Sequence, residues 1–223
     1  PRSRWEKGVF RIDLHFDILD EDRLESRRYI PRIPVEEIFT FARTGEIGEA
    51  QYLSPNPYHS LIITALHALK HAYVMDYWFM DTGTIMTEMG KAFSMKELLK
   101  TADRYGHEKV VHIMLWALQD LFQFSCAKFS SNAFLPGPLV RRCVKAATEH
   151  TRFLQFGTFL MGTTIDSFWK KLHYFVELAG PKRAVLIKER GQKAPLGRKS
   201  PGLGLHGERF MEFFQSLAMI LKG

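Results

Sequence analysis

Asp13 and His15 are the residues whose types and spacing point most directly to chemistry. They lie in Val9-Phe10-Arg11-Ile12-Asp13-Leu14-His15-Phe16-Asp17-Ile18, which alternates between apolar and polar residues from Phe10 onward. Strand side chains point to opposite faces with period 2. Ile12, Leu14, Phe16 and Ile18 therefore share one face, and Arg11, Asp13, His15 and Asp17 share the other. The expected element is a half-buried strand with acid, imidazole and acid on its open front. Alternate carboxylates on a strand can reach toward one Mg²⁺, which prefers oxygen ligands and keeps several waters. The plainer reading of the same pattern is a charged sheet face turned to water.

The second constellation follows the loop Ser54-Pro55-Asn56-Pro57. A long helix is expected from Leu61 onward, running to Asp81. At about 100° per residue, His67, Lys70, His71, Val74, Trp78 and Asp81 fall within one sector of about 100°, provided the helix is unbroken. The other faces are largely Leu, Ile, Ala and Met, so this stripe is the polar exception on an apolar helix. Buried polar groups need partners. Lys70 and His71 could face a phosphate, with Lys acting as a point charge. Alternatively His67 and Asp81 satisfy each other or the backbone between packed helices. Zinc is a third reading, since His67 and His71 have the i, i+4 spacing of shared ligands. Against it, Ala68 follows His67 where a zinc protease would carry glutamate, and Asp81 is more than two turns away. His107 and His112 are five apart and share no helix face.

The order Ile-Asp-Leu-His-Phe, a spacer, Leu-His-x-x-Lys-His-x-aromatic, then Trp-x-x-Asp resembles a known family. It is similar to the uncharacterised bacterial nucleotidyltransferases of the polymerase-β superfamily. In that family a strand with a Val-Asp-Leu-His-aromatic pattern closes the catalytic domain. A helical region then carries Leu-His-x-x-Lys-His-x-Trp and a downstream Asp. The matching positions here are Asp13 and His15, then His67, Lys70 and His71, then Asp81; Tyr73 stands where the family usually has Trp. The resemblance covers roughly residues 9–125. It implies transfer of a nucleotidyl group from a nucleoside triphosphate, with Mg²⁺ as cofactor. Asp13 would be catalytic and a metal ligand, and His15 would steer the acceptor or bond the neighbouring strand. His67, Lys70, His71 and Asp81 would bind substrate. The acceptor is open: a small molecule, a protein side chain or an RNA end.

The resemblance also implies a Gly-Ser loop and an Asp-x-Asp pair upstream of the strand, and neither is present in this sequence. The expectation is therefore the C-terminal part of a longer enzyme, inactive alone, with Asp13 the third carboxylate of a triad. The competing class is a non-catalytic helical binding module.

Composition agrees with either class. The chain has 223 residues, 46% hydrophobic and 13% aromatic, enough for a sizeable core. Its formal net charge is +7, which favours anionic partners such as nucleotides or RNA. No apolar run approaches the roughly 18–20 residues that span a bilayer, so no membrane partner is expected. Cys126 and Cys143 have no metal-ligand spacing, which reads as a reduced, cytoplasmic protein.

The remaining elements must position these residues. The fold class expected is α+β, mostly α: a strand or hairpin remnant of a nucleotidyltransferase sheet, then a helical bundle. Residues 1–33 would end the transferase-like domain, 34–190 form the helical domain, and 191–223 a basic loop and C-terminal helix. A short helix starts near Val35. Ser94 is a candidate cap for a helix from Met95, and Gly106 breaks it. From His107 a further helix carries Val110, Val111, Met114, Leu115, Leu118 and Leu121 as an apolar stripe. Helices are expected over 139–156, 165–178 and 210–221. The pairs Arg141-Arg142 and Lys170-Lys171 fit RNA contact or, more plainly, solvated helix faces.

Overall fold

Asn56 and Pro57 start the central helix α2 (Pro57–Lys70). The Asn56 side-chain oxygen accepts hydrogen bonds from the amides of Tyr58 (2.9 Å) and His59 (3.1 Å). Pro57 sits where its missing N–H has no partner to lose. The computed structural model describes residues 24–73, 77–124, 135–149 and 155–180, with Met211, Phe214, Gln215 and Ala218, which are helical. The alternating segment at 9–18, and with it Asp13 and His15, lies outside the described residues, as does most of 191–223.

Ahead of α2 come a 3₁₀ helix (Glu25–Tyr29), α1 (Val35–Thr40) and a hairpin of β1 (Arg43–Ile47) and β2 (Ala50–Ser54). After it come α3 (Tyr77–Met89), a 3₁₀ turn (Gly90–Ala92), α4 (Met95–Arg104), α5 (Glu108–Phe122), α6 (Pro138–Glu149), α7 (Gln155–Thr163) and α8 (Phe168–Ala179). Helix α2 lies against α3, α4, α5 and α7, so Leu61, Ile62, Ala65, Leu66, Ala68 and Leu69 are all buried. Outward from it, α6 packs on α7 and α7 on α8. The Glu177 carboxylate of α8 accepts the amides of Glu25 and Ser26, each at 2.9 Å, and so holds the first 3₁₀ helix. Burial works against this carboxylate, but the bonds from Ser26 and Glu25 pull its pKa below the usual range.

The mostly helical α+β class therefore stands. Two helices follow their sequence signals closely. Ser94 Oγ accepts the Glu97 amide at 3.4 Å and starts α4, and Gly106 ends that segment with φ +70°. The stripe of α5 is buried at Val110, Val111, Met114, Leu115 and Leu118.

Three expectations are corrected. The hairpin at 43–54 was not foreseen, because its strands are short, mostly exposed and without apolar alternation. Its register runs from Arg43↔Ser54 to Ile47↔Ala50, with Gly48 (φ +60°) opening the turn and the Tyr52 ring lying over Gly45. The helix expected over 139–156 is instead α6 and α7, two helices packed on one another. Most important, the helix from Leu61 does not run unbroken to Asp81. It ends at Lys70, and Ala72 (φ 56°) and Tyr73 (φ 57°) adopt left-handed backbone. Tyr73 N–H bonds to Ala68 O at 2.8 Å and Ala72 N–H to Leu69 O at 3.0 Å, the paired bonds of a Schellman end. No glycine marks this stop. Its left-handed residues cost on the order of 1–3 kcal/mol each, offset by burying Tyr73 against Phe79, whose ring lies 5.6 Å away.

His107 precedes α5 and is 1% exposed, with neither ring nitrogen hydrogen-bonded among the described residues. Burial pushes its pKa down to about 4. The unfolded chain, with an ordinary His pKa near 6.5, then binds more protons than the folded one between those values. Stability from this group is complete above about pH 6.5 and is lost as pH falls toward 4, on the order of 3 kcal/mol in all. His107→Leu is expected to flatten that acid-side loss. Urea melts at pH 7 and pH 5 check it; an equal pH dependence in wild type and variant would refute the assignment.

Candidate functional site

The break after Lys70 turns the chain back, and this turn, not a continuous stripe, assembles the polar cluster. The His67 and His71 rings stack with centroids 5.1 Å apart and planes at 27°. Trp78, from the start of α3, stacks on His71 at 5.3 Å and 19°, and lies 6.0 Å from His67. Tyr77 meets Trp78 edge-on at 4.7 Å. Trp78 is buried, while His67, Lys70 and His71 are half-buried. Four rings thus line the corner between α2 and α3, with partly open imidazoles at its edge. Such a corner offers π-faces to a planar ligand and ring N–H donors to an anion.

Lys70 is the last residue of α2, and its carbonyl is covered by Gly157 of α7. Asp81 does not join the imidazoles. It is exposed on α3, and its charge, together with burial as the larger cause, raises the Tyr77 pKa. The expected stripe is therefore half assembled: His67, His71 and Trp78 meet, Lys70 neighbours them in the chain, and Asp81 stands apart. Val74 lies outside the described residues. Among the described residues no group of three or more His, Cys, Asp or Glu could hold a metal ion. Asp13, the expected magnesium ligand, lies outside the described residues.

A second polar network escaped sequence reasoning altogether. Tyr105 O–H donates to Glu37 Oε2 at 2.6 Å, and Arg104 Nη2 lies 2.7 Å from the same oxygen. His59 Nε2 is 3.2 Å from the Tyr105 oxygen. The tyrosine proton is already given to Glu37, so His59 donates through Nε2. Burial lowers the His59 pKa, and burial with the Glu37 bond pushes Tyr105 up to about 12. These residues come from α1, α2 and the end of α4, and no sequence spacing relates positions 37, 59 and 105. The network pins α1 to the bundle.

A cleft of about 420 Å³ lies between the hairpin, the start of α2 and the end of α3, lined by Arg43, Thr44, Tyr52, Ser60 and Glu88 among others. Ser60 and Lys70 are ten residues apart on α2, or about 15 Å at 1.5 Å per residue. The hairpin cleft and the imidazole–indole corner are separate places. Among the described residues no helix is long and apolar enough to cross a membrane.

Comparison with known proteins places these features in a family. No curated protein matches the chain, and no solved structure does. A family model described as "uncharacterised nucleotidyltransferase" matches residues 2–123. The match spans the Asp13–His15 segment, the hairpin, the whole α2–α3 corner and α5 up to Phe122. It covers more than half of the 223 residues, and the chain belongs to the uncharacterised nucleotidyltransferase family.

Proposed function

We propose that this chain acts in metal-dependent nucleotidyl transfer, moving a nucleotidyl group from a nucleoside triphosphate to an acceptor hydroxyl. The observation that carries this reading is the family match over residues 2–123, which includes every site residue considered above. Nucleotidyltransferase character follows from the family; the assignments below are proposals. Mg²⁺ is the proposed cofactor and Asp13 its ligand, with His15 toward the acceptor. A single carboxylate does not hold two metals in reacting geometry, so transfer needs further carboxylates beside Asp13. The chain by itself is accordingly proposed to be inactive.

The proposed role of the α2–α3 corner is to receive the nucleotide. The stacked faces of His67, His71 and Trp78 suit a planar base, and Lys70 supplies a charge for phosphate. Asp81 is proposed to act at the edge of that site, because it is exposed one turn beyond Trp78. The net charge of +7 favours approach of a polyanion.

One observation favours the competing module reading. His67 and Lys70 occupy the last turn of α2, where cations complement the helix dipole without any ligand. Lys70→Ala separates the two. A charge-assisted bond to phosphate contributes about 1.5–3 kcal/mol, so triphosphate affinity is expected to fall by roughly 10- to 100-fold. Calorimetric titration with nucleoside triphosphates, run beside a thermal melt, reads this. Unchanged affinity with a melting loss of several degrees would assign Lys70 to the helix end and favour the module.

A further inference from the structure

A second cleft, of about 390 Å³, opens between α5, the start of α6 and the end of α7. Its volume is within the range of small-molecule sites. From α5 it takes Lys109, His112 and Ile113, which at spacing i, i+3, i+4 share one helix face. From α6 it takes Val140, and from the end of α7 Thr163 and Thr164. Ile113 and Val140 make an apolar wall. Opposite in character are an ammonium, an imidazole and two hydroxyls.

The His112 ring nitrogen Nε2 lies 3.7 Å from the Glu108 carboxylate one turn earlier on α5. Thr163 O–H donates to Leu160 O at 2.6 Å, and Thr164 O–H to Met161 O at 2.7 Å. With their protons committed, both hydroxyl oxygens can only accept. Lys109 forms an ion pair with Asp166, on the connection from α7 to α8. That pair is exposed on both sides, and exposed pairs are weak and readily exchanged. The first turn of α6 carries no acidic residue, so its N-terminal positive end is not neutralised from within the turn. No carboxylate lines the cleft among the described residues.

We propose that this cleft binds a small organic anion, a phosphate or carboxylate carried on an apolar body. The anionic group seats on Lys109 beside the first turn of α6, and the apolar body lies against Ile113 and Val140. A donor N–H or O–H of the ligand meets Thr163 and Thr164. Asp166 competes with the ligand for Lys109. The inference does not rest on the nucleotidyl-transfer reading: it is argued from the cleft's own lining, which joins Lys109, His112 and Ile113 of the matched residues 2–123 to α6 and α7 outside them.

Phenyl phosphate and benzoate are suitable probes, with benzyl alcohol as the neutral control, titrated calorimetrically into the purified protein. Saturable binding of at least one anion is expected below about 10 mM, with none for benzyl alcohol; the two anion arms show which group the site prefers. Lys109 is half exposed, so Lys109→Met should fold and weaken binding by about tenfold. Asp166→Asn removes the competitor and should tighten binding by about threefold. Lys100→Met, at an exposed lysine of α4 outside the cleft, should leave it unchanged. The proposal is overturned if neither anion saturates, if Lys109→Met binds as tightly as wild type, or if Lys100→Met weakens binding as much as Lys109→Met does.

Discussion

Gly157→Ala is expected to lower the melting temperature by roughly 6–12 °C. A Cβ at this position would meet the carbonyl carbon of Lys70 at 2.6 Å and the Ala72 amide nitrogen at 2.9 Å. Both are backbone atoms, so no side chain can swing aside. They also belong to the stop of α2, where Ala72 and Tyr73 already hold left-handed backbone. Either α7 lifts off α2 or that turn deforms. Overpacking of this kind typically costs about 1–3 kcal/mol and occasionally more, and we expect the upper end. For a chain of this size each kcal/mol shifts melting by about 2–4 °C. Gly180→Ala is the control, since the nearest atom to a Cβ there is Val176 O at 3.7 Å and φ is −132°. It should melt within about 2 °C of wild type. Equal melting for Gly157→Ala and wild type would mean that α7 does not seat on the end of α2.

On the proposed function, in an active protein that carries this sequence, Asp13→Asn is expected to lower nucleotidyl transfer by about 1,000-fold or more while melting is unchanged. The size follows from what a preorganised charge contributes at a reacting centre, where loss of even one neutral donor costs about 100- to 1,000-fold. Melting is expected to be spared because the alternation of 9–18 groups Asp13 with Arg11, His15 and Asp17 and not with the apolar residues. The measurement is incorporation of labelled nucleotide at saturating triphosphate and Mg²⁺, with a thermal melt on the same preparation. Wild-type rate in the variant would remove Asp13 from the catalytic set. Loss of rate together with a large melting shift would assign it to the fold instead.

These two substitutions draw on different kinds of knowledge. Asp13 is a residue of the sequence pattern, legible from alternation and from its order with His67, Lys70 and His71. The Gly157 contact joins positions almost ninety apart, and nothing in the composition around either one announces it. The same division runs through the fold. Ser94 with Met95–Arg104 could be read directly, because a cap bonds within three residues. The stripe of α5 could be read because one helix face is a local periodicity. Family membership was legible too, since the motif order resembles the family whose model matches residues 2–123.

The end of α2 was not legible. Residues 61–81 have a helical pattern throughout, and Ala72 and Tyr73 carry no stop signal of their own. What stops the helix is distant: Tyr73 gains a buried place against Phe79, and α7 closes on the turn through Gly157. The same stop turns Trp78 onto His71 and leaves Asp81 outside, so tertiary packing decided which candidate residues meet. Likewise Glu37, His59 and Tyr105 are unremarkable where they stand and form a network only once α1, α2 and α4 are packed. By itself the sequence determined the local bonds, the apolar faces and the family. Pairings between distant residues depend on the free energy of burying whole elements against each other, a sum that no short window of residues contains.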